Sequence, residues 1–200
     1  MTNPIHRIAF LLTLNKDSER AIFSKSVLET IGFEVRFIGC IPNEDKVLSN
    51  RLSMQYIYNL IKDLNEAYCY IFEDDINILE PIKLDEIVQY EKISPIFFYL
   101  GICEVPYQKN MIRNEKINDH KVFYRSGNFH GLHAIGISKK GASELLEFSK
   151  YSNERFMDMV LSVFSLKYPA NIVRYDLESY IPGHMGIIFQ DRDKFPSTIS

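Results

Sequence analysis

Three consecutive acidic residues, Glu73, Asp74 and Asp75, directly follow the apolar run Tyr68–Phe72. A short continuous apolar run is typical of a strand buried on both faces, so the acids are expected at its C-terminal end. In open α/β sheets, ligands bind at that edge. Neighbouring carboxylates repel by about 1 kcal/mol per pair at 4 Å in water, and Mg²⁺ or Mn²⁺ would turn that repulsion into attraction. The pattern indicates a metal or ligand site, with a solvated acidic turn as the alternative.

Two residues further along the chain could take part in the same chemistry. Asp158 lies at the margin of the apolar stripe of a predicted helix, which places its carboxylate at a groove edge. The alternative is an ordinary first-turn acid favoured by the helix dipole. His184 lies between two glycines, which let the backbone approach a ligand closely. A neutral imidazole is a competent Mn²⁺ ligand, but a loop histidine is also common as a plain surface residue.

Four other residues are candidates for contacts with an anionic ligand. Arg20 carries a planar guanidinium that suits phosphate, although exposed helix-surface arginines are more common. Gly127, Asn128 and Gly131 form a glycine-containing loop, which either lines a ligand or makes a tight turn.

The elements that must position these residues alternate between strand and helix. Strands are predicted at 8–14 and 34–41, and between them a helix capped at Asp17-Ser18 runs to Ile31 and stops at Gly32. An apolar stripe at 57, 60, 61 and 64 predicts the next helix. Its crossover should make the second strand and the acid-tipped strand a parallel pair. The chain is expected to form a single domain, 1–200, of the α/β class, with a mixed, mostly parallel sheet flanked by helices.

Two segments lack periodicity. Residues 104–119 are polar and predict a long surface loop, a kind of segment that often covers or binds a ligand. The last residues, from His184 to Ser200, predict an extended tail that wraps the body.

Composition narrows the class of protein. A hydrophobic fraction of 46% and a charged fraction of 24% are typical of a soluble globular domain. The net charge of −3 and the scattered basic residues argue against nucleic acid as a partner. No apolar run reaches the length of a membrane span, and the cysteines at 40, 69 and 103 form no paired motif. A cytoplasmic location is expected.

Four segments, taken together and in order, resemble glycosyltransferase family 25, which contains the lipopolysaccharide-type and collagen-type sugar transferases with a GT-A fold. The resemblance spans most of the chain. One departure is 49–54, which lacks the family's wording before the helix, and the short length is another. The matching segments are Leu14–Arg20 (LNKDSER), Phe72–Asp75 (FEDD), His133–Ala142 (HAIGISKKGA) and Phe156–Asp158 (FMD).

The resemblance implies a role for each candidate residue. Asp75, as the last acid of the motif, would ligate Mn²⁺ or Mg²⁺ together with His184, whereas Glu73 and Asp74 would lie beside the ribose and the donor sugar. Asp158 would be the general base. The remaining donor-binding residues would be Arg20, Gly127, Asn128 and Gly131.

The implied function is a metal-assisted, inverting transfer of a hexose from a nucleotide-diphosphate sugar, UDP-galactose or UDP-glucose, to a hydroxyl of a saccharide or a protein. Lipopolysaccharide or other glycan biosynthesis is the corresponding process. The alternative is a non-catalytic nucleotide-sugar-binding or carbohydrate-binding relative with a degraded site. A phosphotransferase is less favoured, because the sequence has no glycine-rich phosphate loop with Lys-Ser/Thr.

Overall fold

The structure is a computed structural model and describes residues 5–103, 115–117, 120–125, 130–175 and 184–196. The described strands are β1 (Ile8–Thr13), β2 (Glu34–Gly39), β3 (Tyr68–Glu73), β4 (Ile76–Ile78), β5 (Phe97–Cys103), β6 (Glu115–Ile117), β7 (His120–Arg125), β8 (His130–Ser138), β9 (Ala170–Tyr175), β10 (His184–Gly186) and β11 (Ile188–Gln190). The described helices are α1 (Glu19–Ile31), α2 (Lys46–Asp63), α3 (Leu84–Ile87), α4 (Lys139–Tyr151) and α5 (Met157–Lys167), with a 3₁₀ helix at Val88–Ile93.

Nine of the described strands form one sheet, in the order β2-β1-β3-β8-β5-β9-β7-β6, with β10 added beside β5. The parallel pairs are β1–β2, β1–β3 and β5–β9. Following the pairings across the sheet, β8, β7 and β10 run opposite to the other six strands. The α/β class with a mixed, mostly parallel sheet is therefore confirmed. Within the residues that the structure describes, no helix is long and apolar enough to cross a bilayer.

The acid-tipped strand has a different neighbour from the expected one. β3 was expected to pair with β2, but it pairs with β1, in a register that places Ala9 opposite Tyr70. Every residue of β1 is buried, whereas each residue of β2 is either exposed or only partly buried. The more apolar strand therefore takes the central position and β2 takes the edge, which is the arrangement that buries more apolar surface.

The predicted helix boundaries are set by their caps. Ser18 precedes α1, and its hydroxyl accepts a hydrogen bond from the backbone N–H of Ala21. Gly32 ends α1 in the left-handed conformation, with φ of 114°, as expected for a residue without a Cβ. Ser138 caps α4 in the same way as Ser18 caps α1, by accepting a hydrogen bond from Gly141.

Two apolar cores lie on opposite faces of the sheet. α2, α4 and α5 pack on one face, and α1, α3 and the 3₁₀ helix pack on the other. The side chains of β3 alternate between them: Cys69 and Ile71 belong to the first core, and Tyr68, Tyr70 and Phe72 belong to the second. This alternation determines which neighbours the acids at the end of β3 meet.

Both aperiodic segments contain strands that the sequence did not predict. Residues 115–117, inside the expected surface loop, form β6 and pair with β7. In the expected tail, β10 pairs with β5, and β11 pairs with β4 in a separate two-stranded sheet. Short strands of three residues carry little periodicity of their own, and their backbone pairing with another strand defines them.

Gly101 is a position where the packing of the tail can be tested. A Cβ at this residue would lie 2.0 Å from the carbonyl oxygen of Ile188 and 2.6 Å from Nε2 of His133. Gly101→Ala is expected to lower the free energy of unfolding by about 3 kcal/mol, because the backbone must move. Urea denaturation measures this, and Gly39→Ala is the matched control, since no atom lies within 4 Å of its Cβ. Equal stability of the two variants would contradict the close packing.

Candidate functional site

The acidic triplet lies at the carboxyl end of β3, as predicted. Glu73 is the last residue of the strand and is in register with Leu12 of β1. Asp74 and Asp75 form the turn that leads into β4, and both are buried, at 9% and 4% exposure. Burial argues against the solvated acidic turn, because an ionised carboxylate is retained in an interior only with compensating partners.

Asp74 receives its partners from β1 and α1. The hydroxyl of Thr13 donates to its Oδ2 at 2.5 Å, and Nη2 of Arg20 lies 2.7 Å from its Oδ1. The hydroxyl of Ser24 donates to the carbonyl oxygen of Asp74 at 2.8 Å and accepts from the backbone N–H of Ile76 at 3.2 Å. α1 therefore holds both the side chain and the backbone of this turn.

Arg20 joins two of the three acids. The same Nη2 that contacts Asp74 lies 3.4 Å from Oδ2 of Asp75. The residue is in the first turn of α1, where the helix dipole also presents positive charge. The resemblance predicts that Arg20 binds the donor, and the structure brings this residue to the acidic triplet.

Glu73 and Asp75 share a partner from the tail. Nε2 of Gln190 donates to Oε2 of Glu73 at 2.9 Å and lies 3.3 Å from each carboxylate oxygen of Asp75. Burial, together with the negative charges of Asp75 and Asp74, raises the pKa of Glu73 to about 8. Burial raises the pKa of Asp75 as well, against the positive charge of Arg20 and the Gln190 hydrogen bond, which lower it.

Asp158, the predicted general base, is turned toward the same edge of the sheet. Its Oδ2 accepts from the backbone N–H of Gly131 at 3.2 Å, and its Oδ1 accepts from Met159 at 2.8 Å. Gly131 has φ of 90°, a conformation that favours glycine. Gly131 is near the start of β8, the strand beside β3, and the charge of Asp158 contributes to the raised pKa of Glu73. The structure therefore brings Asp158 and Gly131 close to the triplet.

His184, the predicted second metal ligand, lies on β10 in register with Cys103. Its ring centroid is 6.1 Å from that of His133 and 6.1 Å from that of Phe189. His133 is fully buried, and burial lowers its pKa to about 3, so its imidazole is neutral at physiological pH. The Cys103 thiol lies 3.8 Å from Oε1 of Gln190, which connects this group of side chains with the acids.

The described carboxylate and imidazole side chains are not arranged as a metal site. Among the described residues, no three His, Cys, Asp or Glu side chains are arranged to hold one metal ion. Arg20 already provides positive charge to Asp74 and Asp75, and Gln190 donates to Asp75. A divalent cation on Asp75 would have to share the carboxylate with both. The assignment of Asp75 and His184 as metal ligands stays a prediction.

Some predicted residues fall outside the structure, and some site residues were not predicted. Gly127 and Asn128 lie outside the described residues. Thr13 was missed because it meets Asp74 through the pairing of β3 with β1, whereas β3 was expected to pair with β2. Gln190 had no sequence signal, because it lies in an aperiodic segment and reaches the acids only through the pairing of β11 with β4.

Comparisons with known proteins give low similarities. No protein family and no curated protein matches the chain. Among solved structures, glycosyltransferase GlyE of Streptococcus pneumoniae TIGR4 is 10% identical, with a TM-score of 0.40 over 82% of this chain and 44% of that chain. Its apo-form is 11% identical, with a TM-score of 0.39 over 89% and 45%. The chain thus spans less than half the length of GlyE in each of these two structures. The resemblance to family 25 stays a prediction.

The raised pKa of Glu73 has a measurable consequence for stability. The folded state holds a proton on Glu73 up to about pH 8, whereas the carboxyl has an ordinary pKa of 4.5 when unfolded. This group's contribution to stability is therefore fully present below pH 4.5 and is lost as the pH rises through 8. Glu73→Gln should remove that loss, so its stability relative to the unmodified protein should increase between pH 5 and 9 in urea denaturation. Glu44→Gln, at an exposed position, is the control. A difference that does not vary with pH would contradict the shift.

Proposed function

We propose that this protein transfers a hexose from a nucleotide-diphosphate sugar to a hydroxyl acceptor. One observation carries the proposal: Glu73, Asp74 and Asp75 lie at the carboxyl edge of the sheet beside Arg20, and Asp158 is turned toward the same edge. Carboxylates accept hydrogen bonds from sugar and ribose hydroxyls, and a guanidinium pairs with phosphate. The order of these residues in the chain also matches the motifs that resemble family 25.

In the proposed reaction, Asp158 and Arg20 have different roles. The acceptor hydroxyl attacks the anomeric carbon, Asp158 accepts its proton, and the bond between the anomeric carbon and the diphosphate oxygen breaks. The diphosphate gains one negative charge, which Arg20 would stabilise. Inversion at the anomeric carbon, UDP as the nucleotide, galactose or glucose as the sugar, and Mn²⁺ or Mg²⁺ held by Asp75 and His184 are parts of the proposal that derive from the resemblance alone.

A non-catalytic nucleotide-sugar-binding protein is the second candidate, and one observation favours it. Both oxygens of Asp158 accept backbone N–H groups, from Gly131 and Met159. A carboxylate engaged in this way has fewer lone pairs left to receive the proton of an acceptor hydroxyl. Donor binding without turnover would identify this candidate.

Asp75 is expected to be required for donor binding. Asp75→Asn should weaken the binding of UDP-galactose or UDP-glucose at least about tenfold, because the site loses a charged hydrogen-bond acceptor. Calorimetry with and without Mn²⁺ measures the affinity and shows whether the cation contributes. Asp63→Asn, at an exposed position of α2, is the control. Unchanged binding in Asp75→Asn, or no binding by the unmodified protein, would contradict the donor site.

Asp158 separates the two candidate functions. Asp158→Asn should lower kcat for transfer by about 10²-fold or more, because it removes the general base, while the affinity for the donor remains. Product formation from a panel of saccharide and peptide acceptors measures kcat. If the unmodified protein binds the donor and forms neither glycoside nor free sugar, it is a non-catalytic nucleotide-sugar-binding protein. Full turnover by Asp158→Asn would exclude this residue as the base.

A further inference from the structure

Gln190 is a buried side chain that touches two of the three acids. It is the last residue of β11 and is 6% exposed. Its Nε2 lies 2.9 Å from Oε2 of Glu73 and 3.3 Å from both carboxylate oxygens of Asp75. One amide nitrogen with two hydrogens therefore donates to two different carboxyl groups.

The orientation of this amide is fixed from its other end. Oε1 of Gln190 accepts a hydrogen bond from Nη2 of Arg192 at 3.0 Å, and the thiol of Cys103 lies 3.8 Å away. Both groups are donors, so the oxygen must face them and the nitrogen must face the acids. An amide rotated by 180° would place its oxygen against the carboxylates and its N–H groups against a guanidinium, which is unfavourable at both ends.

The backbone around Gln190 is held to the same turn as the acids. Gln190 is in register with Ile76, and the next backbone N–H, that of Asp191, donates to the carbonyl oxygen of Asp75 at 2.7 Å. The side chain of Asp191 accepts from Asn77 at 3.0 Å. The distance from the backbone of Gln190 to the carboxyl groups is therefore set by strand pairing and does not depend on side-chain contacts alone.

We infer that Gln190 is a positioning residue of the donor site: its amide holds the carboxyl groups of Glu73 and Asp75 in the orientation in which they receive the hydroxyl groups of the nucleotide sugar. The inference rests on the proposed function for the identity of the ligand. It adds a second residue of the tail, after His184, to the site predicted from the sequence. Arg192 orients the amide by donating a hydrogen bond to its oxygen.

The test compares Gln190→Met with Gln55→Met. Methionine keeps the volume of glutamine and removes its hydrogen bonds, and Gln55 is a matched control, because its amide makes one hydrogen bond, to Ser149, in a partly buried position on α2. Gln190→Met should raise the donor KM at least about tenfold, as expected for the loss of the hydrogen bonds to two carboxyl groups, and leave the acceptor KM within about twofold. A merely structural role would lower the amount of folded enzyme and leave both KM values unchanged.

Crystal structures of the unmodified protein and of Gln190→Met provide a readout that needs no substrate. The carboxyl groups of Glu73 and Asp75 should change their orientation in the variant, because both lose the amide donor that they share. Carboxyl groups that superpose on the unmodified ones, or an unchanged donor KM, would overturn the inference. If the unmodified protein uses no nucleotide sugar, the proposed function fails, and the positions of the two carboxyl groups still decide whether Gln190 fixes them.

Discussion

The crowding of three carboxyl groups at the end of β3 is the constraint on which the rest of the site depends. Burial and mutual repulsion both oppose ionisation here, and the raised pKa values of Glu73 and Asp75 follow from them. The cluster persists because Arg20 and Gln190 each contact two of the acids and Thr13 contacts one. A region that costs stability and is supported from several elements is typical of a site retained for function.

Strand alternation explains how these supports are divided. In β3, side chains point in turn toward the α2–α4–α5 face and the α1–α3 face. Glu73 comes within electrostatic range of Asp158 on α5, whereas Asp74 meets Thr13 and Arg20 from the β1–α1 side. Asp158, the proposed base, and Arg20, the proposed phosphate ligand, therefore approach the end of β3 from opposite faces of the sheet. This arrangement suits a reaction in which donor and acceptor approach from different directions.

Local patterns were sufficient to predict much of this architecture. The caps at Ser18 and Ser138 and the stop at Gly32 depend on neighbouring residues only, and the structure has all three. The buried run before Glu73 depends on composition over a few residues, and it forms the expected strand. Such features can be predicted because the physical cause and the sequence signal lie in the same short segment.

The features that were missed depend on residues far apart in the chain. The insertion of β1 between β2 and β3 reflects a competition for the central position, which neither strand reveals by itself. Gln190 reaches Asp75 across 115 positions of sequence, and Arg20 reaches Pro196 across 176. Nothing near Gln190 marks it as a partner of an acid. The short pairing of β11 with β4 determines its position, and pairings of that kind have no periodic signature.

The docking of β11 has a consequence for the order in which the molecule forms. Ribosomes release a chain from its N-terminus, so β1, α1 and β3 emerge well before residues 188–191. Until then the acids at the end of β3 have Arg20 and Thr13 but lack the amide of Gln190 and the backbone contact from Asp191. Closing a loop of more than a hundred residues is slow compared with forming a helix. The acids at the end of β3 are therefore expected to gain the amide of Gln190 later in folding than they gain Arg20 and Thr13.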